Sequence, residues 1–187
     1  MFDGRAALSD EYLLEGCLKR DNACREGLYR KYSRDLFQCA LRYTGNVEDA
    51  EDVLQEAFLL IFERVAQFRG NGSLLSWMRT IVVREALRLY QKHAVRQQRN
   101  ISIEGNPEEQ WEDVTLPPVN QLDYQCLLHM IQELPEGYRM VFNLCEIEGY
   151  SYEEAAEMMH CSQANCRSQL FRAKNRLREQ ILALDLK

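Results

Sequence analysis

The sequence has no uninterrupted apolar run of about 18 residues, which predicts no membrane-spanning helix and no direct membrane insertion. Its first residues, Met1-Phe2-Asp3-Gly4-Arg5, lack the basic-then-apolar layout of a secretory signal. Proline and glycine are sparse, at 4 and 9 of 187 residues, so long stretches are open to helix formation. We therefore expect a soluble protein that stays in the cytoplasm.

Templates of the common catalytic sites are also missing. The sequence contains no GxSxG, GxxxxGK[ST] or HExxH motif, and its three histidines are scattered at positions 93, 129 and 160. We predict that the chain is not an enzyme, has no catalytic residues, takes no cofactor and has no small-molecule substrate. Its mechanism is binding.

The seven cysteines are odd in number and include no CxxC pair. In a reducing compartment they are expected to be thiols, mostly buried, that act as small apolar residues. The alternative is a zinc site at His160, Cys161 and Cys166, with Cys145 as a fourth ligand. No second close pair supplies zinc-finger spacing, and the acidic run 48–52 lacks the glycine of a calcium loop. We predict that no metal is bound.

Charge is strongly segregated along the chain, although the net charge is −6. The blocks alternate in sign: acidic over 35–63, basic over 64–99, acidic over 122–160 and basic over 161–180. Arg42 is the lone base of the first acidic block and Arg139 is the lone base of the second. Local basic fields can bind phosphates despite an acidic total, so a nucleic-acid partner stays open.

Apolar residues recur at helical spacing through residues 7–92, and helix returns from about 122. The segment between them loses this periodicity, holds three of the four prolines and is rich in acids. We predict an all-α protein with two small helical domains joined by a flexible acidic linker. The predicted boundaries are 1–92, 93–121 and 122–187.

Three serines mark predicted helix starts. Ser73 follows a glycine-bearing loop and is a candidate N-cap, and Ser162 is a candidate cap for the last helix. Ser151-Tyr152-Glu153-Glu154 fits a capping box, in which the serine and the glutamate satisfy each other's end of the helix.

Residues 151–178 predict a helix, a short turn and a second helix, which is the helix-turn-helix pattern. The second helix has a narrow apolar stripe, and long polar donors occupy the rest of its circumference. The stripe consists of Cys166, Leu170, Ala173 and Leu177. A recognition helix needs this division between a docking seam and free donors. The alternative is a basic amphipathic helix packed in a bundle, but the capped helix and turn before it favour DNA binding.

The segment 68–92 combines a glycine-bearing loop, aromatic residues and a run of arginines. Aromatic faces beside cations suit unstacked bases and single strands. On these residues alone, Phe68 and Trp77 are equally well explained as core residues.

The sequence resembles the extracytoplasmic-function type of RNA polymerase sigma factor, in the sigma-70 superfamily. Residues 49–58 resemble the stretch that binds the clamp helices of the polymerase β′ subunit, and 68–86 resemble the part that melts and reads the −10 element. Residues 134–139 and 148–156 resemble domain four, and 167–174 resemble its recognition helix for the −35 element.

The resemblance implies three sets of site residues. Polymerase binding is expected at Asp49, Glu51, Asp52, Val53, Gln55, Glu56 and Phe58. Contact with the −10 element is expected at Phe68, Arg69, Asn71, Ser73, Trp77, Arg79, Arg84 and Arg88. Contact with the −35 element is expected at Ser162, Gln163, Asn165, Arg167, Ser168, Gln169, Arg172, Lys174 and Arg176.

The partners that the resemblance implies are core RNA polymerase, through the β′ clamp helices and the β flap, promoter DNA, and an inhibitory anti-sigma factor. Two other functions were weighed. A stand-alone helix-turn-helix regulator would have no need of the 49–62 block, and a protein–protein adaptor would not need the arginine-rich helix.

Some positions depart from the family pattern. Arg84 stands where many relatives have asparagine, and Gln169 stands where a basic residue is frequent. The turn has His160-Cys161 where glycine is common, and Cys166 replaces a usual valine. We expect Arg84 to affect the preferred −10 base and Gln169 to affect −35 preference or affinity modestly, whereas Cys166 is still a small apolar residue on the docking stripe.

Overall fold

The computed structural model describes residues 9–96 and 124–185. The helices are α1 (Asp10–Leu18), α2 (Asn22–Thr44), α3 (Val47–Arg64), α4 (Leu74–Arg96), α5 (Tyr124–Gln132), α6 (Glu136–Phe142), α7 (Tyr152–Met159) and α8 (Gln163–Asp185). A 3₁₀ turn covers Val65–Gln67 and a π-helical turn covers Asn143–Ile147. These two ranges contain no strand, so the all-α prediction is confirmed. The predicted linker lies outside the described residues, except that 93–96 continue α4.

All three predicted caps are present. The Ser73 hydroxyl accepts a hydrogen bond from the Ser76 amide at 3.1 Å, and the Ser162 hydroxyl accepts one from the Asn165 amide at 3.1 Å. Ser151 and Glu154 form the complete capping box, and the hydrogen bonds that Ser151 donates to the carboxylate lower the pKa of Glu154. Each cap satisfies a backbone donor that the first helical turn leaves unpaired.

Helices α1–α4 form one bundle, called here the N-terminal bundle. Helix α2 is central and packs against α1, α3 and α4. Its apolar stripe meets those of its neighbours in a core that includes Leu28, Leu36, Ile61, Met78 and Val82. The amphipathic periodicity of the sequence therefore gives one buried stripe on each helix.

Helices α5–α8 form a smaller unit, called here the C-terminal unit. Helix α8 packs against α6 and α7 through its predicted apolar stripe. All four stripe residues are at most 4% exposed: Cys166, Leu170, Ala173 and Leu177. The turn before α8 places His160 in the left-handed region at φ 53°, where glycine would be less strained.

The end of α6 differs from the regular helix that the sequence predicts. The Glu148 amide bonds to the Asn143 carbonyl at 2.9 Å, which is a π-type bond five residues back. The buried Asn143 amide explains the widened turn, because it donates to the Arg139 carbonyl at 2.9 Å and to the Arg42 carbonyl at 3.0 Å. The π turn thus reaches from the C-terminal unit to α2.

Arg139 is the main link between the bundle and the unit. Its guanidinium donates to the carbonyls of Tyr43 at 2.8 Å and Thr44 at 3.1 Å, at the end of α2. It also donates to the carbonyls of Gln132 at 2.7 Å and Leu134 at 3.1 Å. The side chain is only 6% exposed, and burial lowers its pKa. A cation at the carbonyl end of a helix is favourable because that end carries partial negative charge.

Arg42, the lone base of the first acidic block, lies in the same interface. Arg42 on α2 forms an ion pair with Glu148 at 2.8 Å, and both side chains are largely buried. Gln91 of α4 adds a hydrogen bond to the Met158 carbonyl at 3.2 Å. The two parts of the chain are therefore joined by polar contacts that a simple tether would not make.

None of the helices in the described part of the chain combines the length and the low charge needed to cross a bilayer.

Candidate nucleic-acid and polymerase interfaces

One face of α3 presents acids to solvent. Its exposed members, called here the acidic ridge, are Glu48, Glu51, Asp52, Gln55 and Glu56. Leu59 continues the same face and is 64% exposed, although its apolar character gave no reason to predict exposure. Asp49 is partly buried, and its carboxylate and backbone amide both bond to the Asn46 side chain at 2.8 Å. The ridge is a surface on which a basic protein partner could dock.

Two residues predicted to bind polymerase lie instead in the core. Val53 is 3% exposed and Phe58 is 4% exposed, and the Phe58 ring lies 4.7 Å from that of Tyr29. In this conformation both side chains belong to the core beneath α3, so their contact with a partner stays a prediction.

A groove separates the acidic ridge from the second half of α4. Asp52 and Glu56 line one wall, and Arg88 and Lys92 line the other. The Arg88 guanidinium also pairs with Glu85 at 2.7 Å, while staying 61% exposed. Arg88, predicted to contact DNA, thus borders the acidic ridge as well.

The loop before α4 presents polar groups in the way the sequence predicts. Gly70 and Gly72 have φ of 74° and 96°, a region that favours glycine. They project Arg69, Asn71 and Ser73 into solvent. The rings of Phe68 and Trp77 pack 5.6 Å apart and are only partly buried, so they brace the loop while keeping an accessible edge.

Helix α4 carries the remaining arginines of the −10 set on two different faces. Arg84 is exposed. Arg79 is partly buried and lines a cleft shared with Glu148 and Tyr150 of the C-terminal unit. In this arrangement Arg79 faces the C-terminal unit, whereas Arg84 faces solvent.

Helix α8 presents six of its predicted DNA-contact residues, fully or partly exposed: Ser162, Gln163, Arg167, Arg172, Lys174 and Arg176. Arg167 lies over the Tyr152 ring at 5.4 Å, and Lys174 pairs with Glu146 at 2.8 Å. Arg167 stays exposed in its contact, whereas the Lys174 side chain is only 13% exposed in its ion pair.

The other three residues of the −35 set are buried: Asn165, Ser168 and Gln169. The Gln169 side-chain amide nitrogen donates a hydrogen bond to the Asn165 side-chain carbonyl at 2.7 Å, which links the two buried residues. Gln169 lies against Gly137, where a methyl group would come within 2.7 Å of its oxygen. Contact of these three residues with DNA stays a prediction, and in this conformation all three are buried. Gln169 can insert because Gly137 on α6 has no side chain at that point.

The residues weighed for zinc do not gather into a site. Within 9–96 and 124–185, no group of three His, Cys, Asp or Glu side chains is arranged to hold a metal ion. Cys161 and Cys166 do approach each other, with their sulfurs 3.4 Å apart.

Arg139, Arg42 and Asn143 were missed as functional candidates. The lone-base positions of the two arginines were a usable signal, because a single cation in an acidic block must find a partner. Asn143 gave no signal, since its role depends on carbonyls that only the folded chain brings near.

Comparison with known families places these surfaces in context. The sigma-70 region 2 family model matches residues 28–96, which cover α3, the loop and α4. The sigma-70 region 4 family model matches residues 124–177, which cover the helix-turn-helix. The chain belongs to the sigma-70 family.

Curated relatives agree with this assignment along almost the whole chain. The RNA polymerase sigma-H factor of Pseudomonas aeruginosa is 29% identical over 177 residues, covering 88% of this chain and 90% of that protein. The ECF RNA polymerase sigma-E factor of Escherichia coli K12 is 28% identical over 186 residues, covering 95% and 96%. Regions 2 and 4 with relatives of this kind identify a sigma factor of the extracytoplasmic-function type, as the sequence predicts.

The fold has a counterpart among solved structures. The sigma factor RpoE of Bartonella quintana, solved in complex with the anti-sigma factor NepR, superposes with a TM-score of 0.51 at 23% identity. The match covers 84% of this chain and 96% of that one. It supports the sigma-factor fold.

Proposed function

We propose that this sigma factor binds core RNA polymerase through the acidic ridge of α3 and directs promoter-specific initiation through its two basic surfaces. One observation carries the proposal. A chain that matches both regions of the family exposes acids on region 2 and long cationic donors on the recognition helix of region 4.

The acidic ridge is proposed to contact the β′ clamp helices. Four carboxylates of the ridge are exposed on one face and leave the core of α3 untouched: Glu48, Glu51, Asp52 and Glu56. Such a surface steers association with a basic partner and sets its orientation. Leu59 adds an exposed apolar contact at the end of the ridge.

The −10 element is proposed to contact the loop over 68–73 and the exposed Arg84 of α4. Phe68 and Trp77 stiffen the loop, and their partly accessible rings suit stacking of bases that have left the duplex. The −35 element is proposed to contact the exposed donors of α8, with Arg172 at the centre. The buried Asn165, Ser168 and Gln169 would act through the shape of the helix.

Further partners follow from the same assignment. Domain four is proposed to use the acids of the C-terminal unit on the β flap. An anti-sigma factor is a proposed regulator, because the superposable RpoE was solved with one. We propose that the protein works by binding without catalysis, in the cytoplasm, with the domain limits 1–92, 93–121 and 122–187.

Run-off transcription tests the proposal. Core polymerase is supplied with this protein and a library of candidate promoters, and transcripts are sequenced. We expect specific transcripts that vanish without the protein and share a −10 and a −35 sequence. Transcripts that are the same with and without the protein, together with no binding to core in a pull-down, would reject it.

A further inference from the structure

Two cysteines frame the start of the recognition helix. Cys161 directly precedes the cap residue Ser162, and Cys166 lies in the first turn of α8. These positions, one before the cap and four after it, are those at which apolar side chains pack together to fix the chain entering a helix. Their sulfurs are 3.4 Å apart, within contact distance. All seven cysteines lie in the described ranges and none is in a disulfide.

The two thiols differ in access. Cys166 is fully buried on the docking stripe, whereas Cys161 is partly exposed. A hydrogen bond from Cys166 lowers the pKa of Cys161, and burial opposes that effect. The same hydrogen bond and burial raise the pKa of Cys166. Cys161 is therefore the thiol that an oxidant can reach, and Cys166 is a neighbour in contact with it that can resolve it.

Four of the other five cysteines lack this combination. Cys17, Cys24 and Cys39 are buried, and burial raises the pKa of each. Cys145 is partly buried, and burial raises its pKa to about 11. Reactivity toward oxidants needs both thiolate character and access, so these four thiols are the less reactive ones.

We propose that Cys161 and Cys166 form a peroxide-oxidisable dithiol whose disulfide weakens binding of α8 to the −35 element. The oxidant class is a hydroperoxide, and hydrogen peroxide is the simplest member.

The reaction balances in two steps. The Cys161 thiolate attacks one peroxide oxygen and the O–O bond breaks, which leaves a sulfenic acid on Cys161. The departing hydroxide takes the proton that Cys161 released and becomes water. Cys166 then attacks the Cys161 sulfur, the S–S bond forms, and the second hydroxide leaves with the Cys166 proton as water. The two thiols lose two electrons and two protons, and hydrogen peroxide is reduced to two waters.

The bond would shift the first turn of α8. A disulfide requires the sulfurs to close from 3.4 Å to about 2 Å, and we expect this closure to displace the segment between them. Ser162 and Gln163 of the proposed −35 surface lie inside that loop, and Arg167 follows it directly. This part of the inference rests on the proposed function. The expected loss is about tenfold in −35 affinity, the size of one lost base-pair contact.

The first arm of the test measures the disulfide itself on the full chain. Protein treated with hydrogen peroxide is alkylated, digested and analysed by mass spectrometry. We expect a loss of two hydrogens with Cys161 joined to Cys166. Cys161→Ser and Cys166→Val should each abolish the bond, and the valine keeps the stripe apolar. Cys145→Ser and Cys126→Ser are the controls at the two other partly buried cysteines, and each should leave the bond intact.

A disulfide between any other pair of cysteines would overturn the proposal. So would alkylation of both Cys161 and Cys166 after treatment, and the pair would then be only an apolar contact at the start of α8. Irreversible oxidation of Cys161 with Cys166 still alkylated would overturn it as well.

The second arm measures binding of the reduced and oxidised full chain to a −35 duplex selected in run-off transcription. Oxidation should weaken wild-type binding about tenfold and leave Cys161→Ser unchanged. Equal affinity of the two wild-type forms would overturn the functional half of the proposal. If the reduced protein fails to bind the duplex, the proposed function fails at region 4, while the mass measurement still decides the dithiol.

Discussion

The N-terminal bundle and the C-terminal unit build their binding surfaces differently. The bundle has a large apolar core, and its loop over 68–73 contributes exposed polar groups that the core does not need. In the C-terminal unit, α8 uses part of its polar surface for packing, since Asn165, Ser168 and Gln169 are buried. The smaller unit has less apolar area to bury, and small domains are marginal for that reason. Its recognition helix therefore serves stability and binding at once.

The small core of the C-terminal unit also explains its interface with the N-terminal bundle. The unit is anchored to α2 by Arg139, whose four carbonyl partners come from both parts of the chain. A buried cation is costly to remove from water, and hydrogen bonds to four carbonyls offset that cost. The bundle can lose this contact and keep its core, but the unit depends on it.

Reversing charge on the acidic ridge should have the largest effect, confined to the N-terminal bundle. Asp52→Arg places a cation at the centre of the ridge, where repulsion by a basic partner costs several kcal/mol, or about 100-fold in affinity for core polymerase. Titration of labelled core measures this loss. Binding of the −35 duplex should stay unchanged.

Glu11→Arg is the matched control, because Glu11 is an exposed acid on α1 away from the ridge. Equal loss of core affinity in both variants would show that total charge matters and that the ridge does not.

Removing the Arg139 guanidinium should have the next largest effect and should fall on the C-terminal unit. Arg139→Met leaves the carbonyls of Tyr43 and Thr44 buried without a donor, at a cost of about 2–4 kcal/mol in the free energy of unfolding. Denaturant unfolding measures it. Arg30→Met, at a side chain 76% exposed, is the control and should change little. Two variants of equal stability would contradict the anchoring role.

Truncating the central arginine of α8 should weaken DNA binding alone. Arg172→Ala removes a partly exposed donor and should lower −35 affinity about tenfold, with core affinity unchanged. Gln169→Leu is the matched comparison, because it removes a buried amide that is hydrogen-bonded to Asn165. It should lower the free energy of unfolding more than it lowers DNA affinity. Fluorescence anisotropy with the selected duplex separates them. A larger DNA-binding loss for Gln169→Leu than for Arg172→Ala would reverse our assignment of the helix face.

Cap removal should have the smallest effect. Ser151→Ala should cost about 1 kcal/mol, and it should raise the pKa of Glu154 part of the way to its ordinary value. The pKa of Glu154 is lower in the folded protein than in the unfolded chain, so the ionised carboxylate stabilises the folded protein at pH values above the unfolded pKa. This stabilisation is lost as the pH falls through the folded pKa. NMR titration of Glu154 measures the pKa. Ser73→Ala, the cap loss in the N-terminal bundle, should leave Glu154 unchanged. A wild-type Glu154 that titrates at its ordinary value would contradict the capping box.

Much of the fold follows from local sequence signals. Ser73, Ser151 and Ser162 were predicted as caps because capping depends on residues three positions apart, and the stripe of α8 was predicted from its spacing. Features that depend on residues distant in the sequence could not be predicted in this way. The π turn at Asn143 needs the Arg42 carbonyl, and the burial of Gln169 needs the missing side chain of Gly137.

The candidate surfaces show the same limit. The resemblance marks residues 49–58 as a block, but it does not separate the faces of a helix, so Val53 and Phe58 were grouped with the exposed acids. Exposure is a property of packing, and only the positions of α2 and α4 around α3 decide it.

We expect that one chain must hold both surfaces in a single initiation event. Run-off transcription from a selected promoter with Asp52→Arg and Arg172→Ala, alone and mixed, tests this directly. We predict that the mixture gives no more transcript than Arg172→Ala alone, because neither variant can lend its intact surface to the other. Restoration of the wild-type transcript level by the mixture would contradict the claim.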